Sequence, residues 1–274
     1  MSCPFPPEIL DLVVNDLHDQ RDALLACGTV SKSWVPRTRR HLFARVEFGS
    51  PESSIESWIK TFPDPSNSPT HYTQSLVVAN AQLVTVADMG VGRWIRAFHN
   101  IVHLYVAIRN SQLDDGGQVS LVPFYGLSPA VKSLHLYSIT PCHTEVFSLL
   151  CSFPLLEDFA LDACRGRIWP DKWETPLTSP RLTGSLKLGG LMEGGAGPIA
   201  RRLLDLPGGL NFTKIVSAGA CEDDFRATAD LVSRCSGTIE SLTISDCLLS
   251  VFLPTAALDQ SLTVTIRAFR TGSV

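Results

Sequence analysis

Glycines, histidines, cysteines and acidic residues are the types that could build a reaction centre in this chain, and none falls at a spacing that assembles one. Gly189-Gly190-Leu191-Met192-Glu193-Gly194-Gly195-Ala196-Gly197 is glycine-rich. A phosphate-cradling loop needs a Gly-Lys-Ser/Thr step after such a run, so that the lysine meets the phosphates and the hydroxyl meets magnesium. No such step follows, and the run reads as a flexible insertion. No Gly-x-Ser-x-Gly elbow lifts a serine into attack. The seven histidines (His18, His41, His71, His99, His103, His135, His143) are scattered, without a His-Glu-x-x-His pair. His99 and His103 are four apart, but His103 falls in an expected strand, so they do not form a helical zinc couple. The eight cysteines (Cys3, Cys27, Cys142, Cys151, Cys164, Cys221, Cys235, Cys247) have irregular gaps and no Cys-x-x-Cys. That argues against zinc ligation and against a disulfide framework, and leaves small buried hydrophobes. Glu222-Asp223-Asp224 opens an expected helix, where negative charge complements the dipole and caps amides. Arg37, Arg39, Arg40 and Arg45 read as a solvated helix face. The expectation is a protein that is not an enzyme, with no catalytic residue, no metal and no cofactor.

The bulk numbers exclude further classes. Hydrophobic residues at 45%, charged residues at 18% and a mean hydropathy of +0.14 over 274 residues supply a sizeable core. A net charge of −4 and an isoelectric point near 6.0 give no field that gathers nucleic acid or an acidic membrane. The opening Met1-Ser2-Cys3-Pro4-Phe5 is not a basic segment leading into an apolar one. No apolar run approaches the ~20 residues that span a bilayer. The expected partners are therefore proteins, with no nucleic acid and no membrane, in the cytoplasm and/or nucleus.

Positioning elements come next. Ile9, Leu10, Val13, Val14 and Leu17 recur at helical spacing behind Pro6-Pro7, which suits a helix start because the amide that proline lacks is unpaired there anyway. Asp22 is the expected cap of a second helix through Ala23-Leu24-Leu25-Ala26-Cys27, loosened at its end by Gly28 and Thr29. A third segment runs from Val30-Ser31-Lys32-Ser33-Trp34 to His41-Leu42-Phe43, with Ser31 as cap and Pro36 in its first turn. Three helices in under ~50 residues need a further surface to bury their apolar sides.

Pro6-Pro7-Glu8-Ile9-Leu10, Leu17, Asp22-Ala23-Leu24-Leu25, Val30-Ser31-Lys32-Ser33-Trp34 and His41-Leu42-Phe43 together resemble an F-box, over about residues 5–45. Phe5 stands where that family has leucine, and Gly28 and Pro36 depart from its helix formers. The resemblance implies binding to the Skp-type adaptor of a cullin-RING ubiquitin ligase. Carried over by position, Pro6, Pro7, Ile9 and Leu10 face the adaptor, and Leu24, Leu25, Val30 and Trp34 are shared between interface and core.

Behind this module, Val46 and Phe48 alternate with Arg45 and Glu47 as a first strand, and Ile55, Trp58, Ile59 and Phe62 stripe a short helix. A six-residue pattern then recurs, at Thr73–Val78, Ile101–Val106, Val131–Leu136, Leu156–Leu161, Thr183–Leu188, Phe212–Ser217 and Ile239–Ile244. Its fourth positions, Leu76, Leu104, Leu134, Phe159, Leu186, Ile215 and Leu242, are 28, 30, 25, 27, 29 and 27 residues apart. Near-constant recurrence marks stacked strand–loop–helix units, with helices expected at Val91–Phe98, Thr144–Leu150, Pro198–Leu206 and Asp223–Cys235. The pattern resembles the leucine-rich repeat, in which Cys164 and Cys247 would line the interior. The third positions (Ser75, His103, Ser133, Asp158, Ser185, Lys214, Ser241) and fifth positions would then face an open concave side, with Tyr105, His135 and Lys187 as target-binding anchors. A last strand-like stretch at Leu262–Ile266 has no evident cap, which suggests truncation or cover by a partner.

The fold class expected is α/β: a small three-helix F-box module over residues 1–48, a linker with a short helix over 49–72, and a leucine-rich-repeat-like solenoid of parallel strands and helices over 73–274. The resemblance implies a substrate-receptor subunit of a Skp-cullin-F-box ubiquitin ligase. The alternative is a non-ligase repeat scaffold whose F-box is a vestigial cap.

Overall fold

The computed structural model describes residues 6–50, 53–79, 89–107, 121–138, 143–162, 179–189, 197–219, 222–246 and 263–267. The chain opens with three helices, α1 (Pro7–Asp16), α2 (Arg21–Val30) and α3 (Val35–Leu42). Pro7 occupies the first turn of α1, and the amides of Ile9 and Leu10 bond the Pro6 carbonyl at 3.1 and 3.3 Å. Leu10 and Val14 bury one face of α1, and Leu24 and Thr38 bury the inner faces of α2 and α3. The expected caps are not used. α2 begins at Arg21 without a side-chain cap, and Ser31 ends α2 instead of starting α3. α2 also runs through Gly28, which serves close packing: a Cβ there would lie 3.3 Å from Thr38 Oγ1 on α3. An Arg37–Asp11 ion pair and a His41 Nε2–Asn15 Oδ1 hydrogen bond of 2.9 Å tie α3 to α1.

Nine strands follow in chain order across one sheet: β1 (Arg45–Phe48), β2 (Ser75–Val78), β3 (His103–Ala107), β4 (Ser133–Tyr137), β5 (Asp158–Asp162), β6 (Ser185–Gly189), β7 (Lys214–Gly219), β8 (Ser241–Asp246) and β9 (Thr263–Arg267). β1 to β8 are parallel neighbours. The register sets Val46, Leu76, Leu104, Leu134, Phe159, Leu186, Ile215 and Leu242 side by side, so the repeated fourth position becomes one apolar ladder. Each of these side chains is buried, and full burial of such a residue contributes about 1.5–3 kcal/mol.

The helices on the other side of that ladder are α4 (Ile55–Thr61), α5 (Met89–Arg96), α6 (His143–Cys151), α7 (Gly197–Leu204) and α8 (Glu222–Arg234). Between β3 and β4 the described chain has only a 3-10 turn, Val122–Phe124, whose Phe124 is buried in the common core. Side-chain bonds repeat from coil to coil. Asn100 Nδ2 donates to the His71 carbonyl at 2.7 Å, Ser128 Oγ to that of His99 at 2.8 Å, and Thr238 Oγ1 to that of Phe212 at 2.9 Å. Each satisfies a loop carbonyl that no ladder reaches.

Three expectations shift. β1 belongs to the sheet, so the helical module ends at about Phe43 and not at residue 48. α4 is the helix of the first coil, with Ile55 buried and Trp58 packed at 5.8 Å on both Phe48 and Phe98, and not part of a linker. The last strand is antiparallel, Leu242 facing Ile266, so β9 reverses against β8. Alternation of side chains is the same in either direction, and the sequence of β9 carries no direction signal.

Candidate protein-docking surfaces

Helices α1 and α2 each carry uncovered apolar side chains. Ile9, Val13 and Leu12 on α1 are 44%, 40% and 64% exposed, and Leu25 and Val30 on α2 are 48% and 68% exposed. Pro6 and Pro7 are exposed beside them. Of the eight residues expected to meet an adaptor, Pro6, Pro7, Ile9, Leu25 and Val30 are exposed. Leu10 and Leu24 are not: at 3% and 1% exposure they are the core of the module. Trp34 is half-buried at the start of α3. Leu12 and Val13 are additions that the sequence reading missed. Their signal was present, because apolar residues at 9, 10, 12, 13 and 14 are more than one buried stripe of a helix can hold.

The second surface is the side of the sheet opposite the helices. Tyr105 on β3 and His135 on β4 are brought together, with ring centroids 4.6 Å apart and planes at 83°. Tyr137 on β4 joins them, nearly parallel to Tyr105 at 6.5 Å and perpendicular to His135 at 6.4 Å. Lys187 lies two strands away on β6, where its ammonium pairs with Asp162 of β5. Asp162 stands next to Tyr137 in the ladder, so it links the lysine to the rings. Burial holds the His135 imidazole below its ordinary 6.5, and the Lys187 charge adds to this against an opposing pull from Asp162. Its Nε2 is buried without a hydrogen-bond partner, which also favours the neutral ring. Tyr137 and Asp162 were missed because the sequence pattern was followed for six positions, whereas the period of two continues to a seventh.

The third strand positions divide. His103 and Lys214 are exposed, and Ser75, Ser133, Asp158, Ser185 and Ser241 are half-buried. Asp158 is occupied within the sheet, its Oδ1 accepting from Ser185 N at 2.6 Å and Ser185 Oγ at 2.7 Å. Val77, at a fifth position, is 6% exposed and not open to a partner.

Other chemistry-bearing residues take structural roles. Asp224 is 1% exposed and accepts from the Gly197 amide at 2.7 Å, so it caps the start of α7 from within α8. Asp223 pairs with Arg201 of α7 at 2.9 Å, and that hydrogen bond and charge hold its carboxyl below the usual carboxylate range. Cys27, Cys151 and Cys235 are free thiols, and burial pushes Cys151 up to about 11. Among the described residues no group of three or more His, Cys, Asp or Glu side chains is placed to hold a metal ion. No helix there is long and apolar enough to cross a membrane. Cys164, Cys247 and the centre of the glycine-rich run lie outside the described residues.

Fold and surfaces together define an α/β chain, a helical module leading into a solenoid-like stack of parallel strands. No family model matches it, and no curated protein or solved structure matches it either.

Proposed function

We propose that this chain is a substrate-receptor subunit of a Skp-cullin-F-box ubiquitin ligase, in which α1 and α2 bind the Skp-type adaptor and the open face of the sheet binds a target protein. The observation that carries the reading is the exposure of Ile9, Leu12, Val13, Leu25 and Val30 on two helices that bear the F-box-like pattern. Ile9, Leu12 and Val13, spaced i, i+3 and i+4, share one exposed side of α1; an exposed apolar patch marks a docking site, and a mostly apolar centre with polar surroundings is the anatomy of a specific interface. The Tyr105–His135–Tyr137 cluster supports a second contact, because aromatic side chains anchor interfaces. Such a receptor performs no bond chemistry. It holds the target near the ligase, so that transfer proceeds at high effective concentration.

Capture of a purified Skp-type adaptor by the wild-type chain, against an Ile9→Asp/Leu25→Asp pair, tests this. Capture is expected from the wild type and is expected to be lost from the pair, with an unchanged melting temperature. A folded wild type that captures no adaptor would leave the repeat scaffold with a vestigial cap.

A further inference from the structure

The sheet starts at β1, whose only strand neighbour among the described residues is β2. The Ala44 carbonyl accepts from Ser75 N at 2.9 Å, and the Phe48 carbonyl accepts from Ala79 N at 2.6 Å. Backbone groups alternate in direction along a strand, so Arg45 and Glu47 turn their N–H and C=O away from β2. An edge of this kind is a template for a further strand. β1 carries neither proline nor bulge to blunt it.

Beside this edge lies a cavity of about 450 Å³, bounded by β1, α4 and the start of α2. Phe43, Trp58 and Phe62 form its aromatic wall, with centroids 5.9 Å (Phe43–Trp58), 6.3 Å (Phe43–Phe62) and 4.9 Å (Trp58–Phe62) apart. At the rim, Arg45 and Glu47 lie 3.4 Å apart and offset each other's charge. Arg21, also at the rim, makes no ion pair among the described residues, so the trough carries an excess of positive charge. Arg45 and Glu47 are in register with Ser75 and Val77, which continues the row of third and fifth strand positions to the edge of the sheet.

We propose that an extended segment of the target protein adds to β1 as a further strand. Its main chain pairs with the outward groups of Arg45 and Glu47, a bulky apolar side chain fills the Phe43–Trp58–Phe62 trough, and an acidic side chain meets Arg21. This rests on the reading of the open sheet face as the target surface, and it adds main-chain recognition of the strand-addition kind to that surface.

The probe is a set of fluorescein-labelled hexapeptide amides, Thr-Val-Xaa-Val-Glu-Thr with Phe, Trp, Leu or Ile at Xaa, so that Xaa and Glu share one face of the added strand, titrated by anisotropy against the full chain. At least one is expected to bind, and to bind at least tenfold more weakly when Xaa is Ala or the chain carries Phe62→Ala. The same loss is expected when one of the two alternate sets of peptide amides is N-methylated. Glu47→Pro is expected to act likewise, because it removes an outward N–H and spares the β1–β2 bonds. Arg21→Glu is expected to reverse the preference between the Glu peptide and its Lys counterpart. If Glu47→Pro does not fold, the N-methylated peptides read the same bonds on the wild type. Failure of all four peptides, or full binding by both N-methylated forms, overturns the proposal, as does sedimentation showing β1 covered by a second copy. Adaptor capture is scored separately. Absence of peptide binding by the wild-type chain, with its adaptor capture intact, sinks the edge proposal and leaves the ligase reading standing.

Discussion

Adjacent residues of α1 should separate stability from binding. Leu10 is 3% exposed and packs inside the helical module, whereas Ile9, about 100° around the helix, is 44% exposed. Leu10→Ala removes a buried isobutyl group and leaves a void, a change that costs about 2–5 kcal/mol in well-packed cores. The module is small, so it can relax inward, and about 2–3 kcal/mol is expected. Ile9→Ala removes a side chain that keeps nearly half of its surface in water, so about 1 kcal/mol or less is expected. Urea unfolding followed by tryptophan fluorescence measures both, with Trp34 reporting the module, and adaptor capture is scored in parallel. Leu10→Ala should shift the unfolding midpoint and weaken capture only in proportion to the unfolded fraction. Ile9→Ala should leave the midpoint near the wild type and weaken capture directly. A stable Leu10→Ala chain that no longer captures adaptor would refute the burial argument and place Leu10 at the interface.

Asp224→Ala should destabilise the α7–α8 pair by about 1.5–3 kcal/mol, since it strips a buried charged acceptor from the Gly197 amide; Asp224→Asn should cost less, and thermal melting compares the two. The imidazoles of His41 and His135 are both held below the ordinary 6.5, chiefly by burial. The unfolded chain therefore takes up protons first as pH falls below 6.5, and stability should decline there as pH falls, chiefly through His135, with no contribution above that pH. Urea midpoints across pH 5–8 check this, and His135→Phe should flatten part of the slope. Cys151 has its thiol raised from 9.0 to about 11, so native alkylation by iodoacetamide at pH 8 should run about a hundredfold slower than at an ordinary thiol; mass spectrometry of the labelled peptides reads the rate.

The repeat was legible because its signal is local and redundant. The period of two inside each segment and the recurrence of its fourth position predicted strands whose ladder places Leu76 beside Leu104 and Leu134 beside Phe159, as the register shows. Helix positions were legible to within a few residues for the same reason: α8 was expected over Asp223–Cys235 and spans Glu222–Arg234. Cap residues were not. Asp22, Ser31 and the acidic run at 222–224 all have the chemistry of a cap, but which amide they reach depends on what is packed beside them, and Asp224 reaches a neighbouring helix.

What the amino-acid sequence determined by itself was periodicity: where strands and helices recur, and which side of each strand is apolar. The tertiary structure decided everything that depends on neighbours remote in the chain. It divided the crowded apolar face of α1 into a buried Leu10 and an exposed Ile9, because only one side of that helix turns toward α3 and the module's interior. It brought Tyr137 and Asp162 beside Tyr105, His135 and Lys187, because parallel pairing aligns coils that lie 25 or more residues apart in sequence. It also turned the last strand around and left β1 with one open edge, since strand direction and edge position are properties of the assembled sheet and leave no mark in the alternation of a single strand.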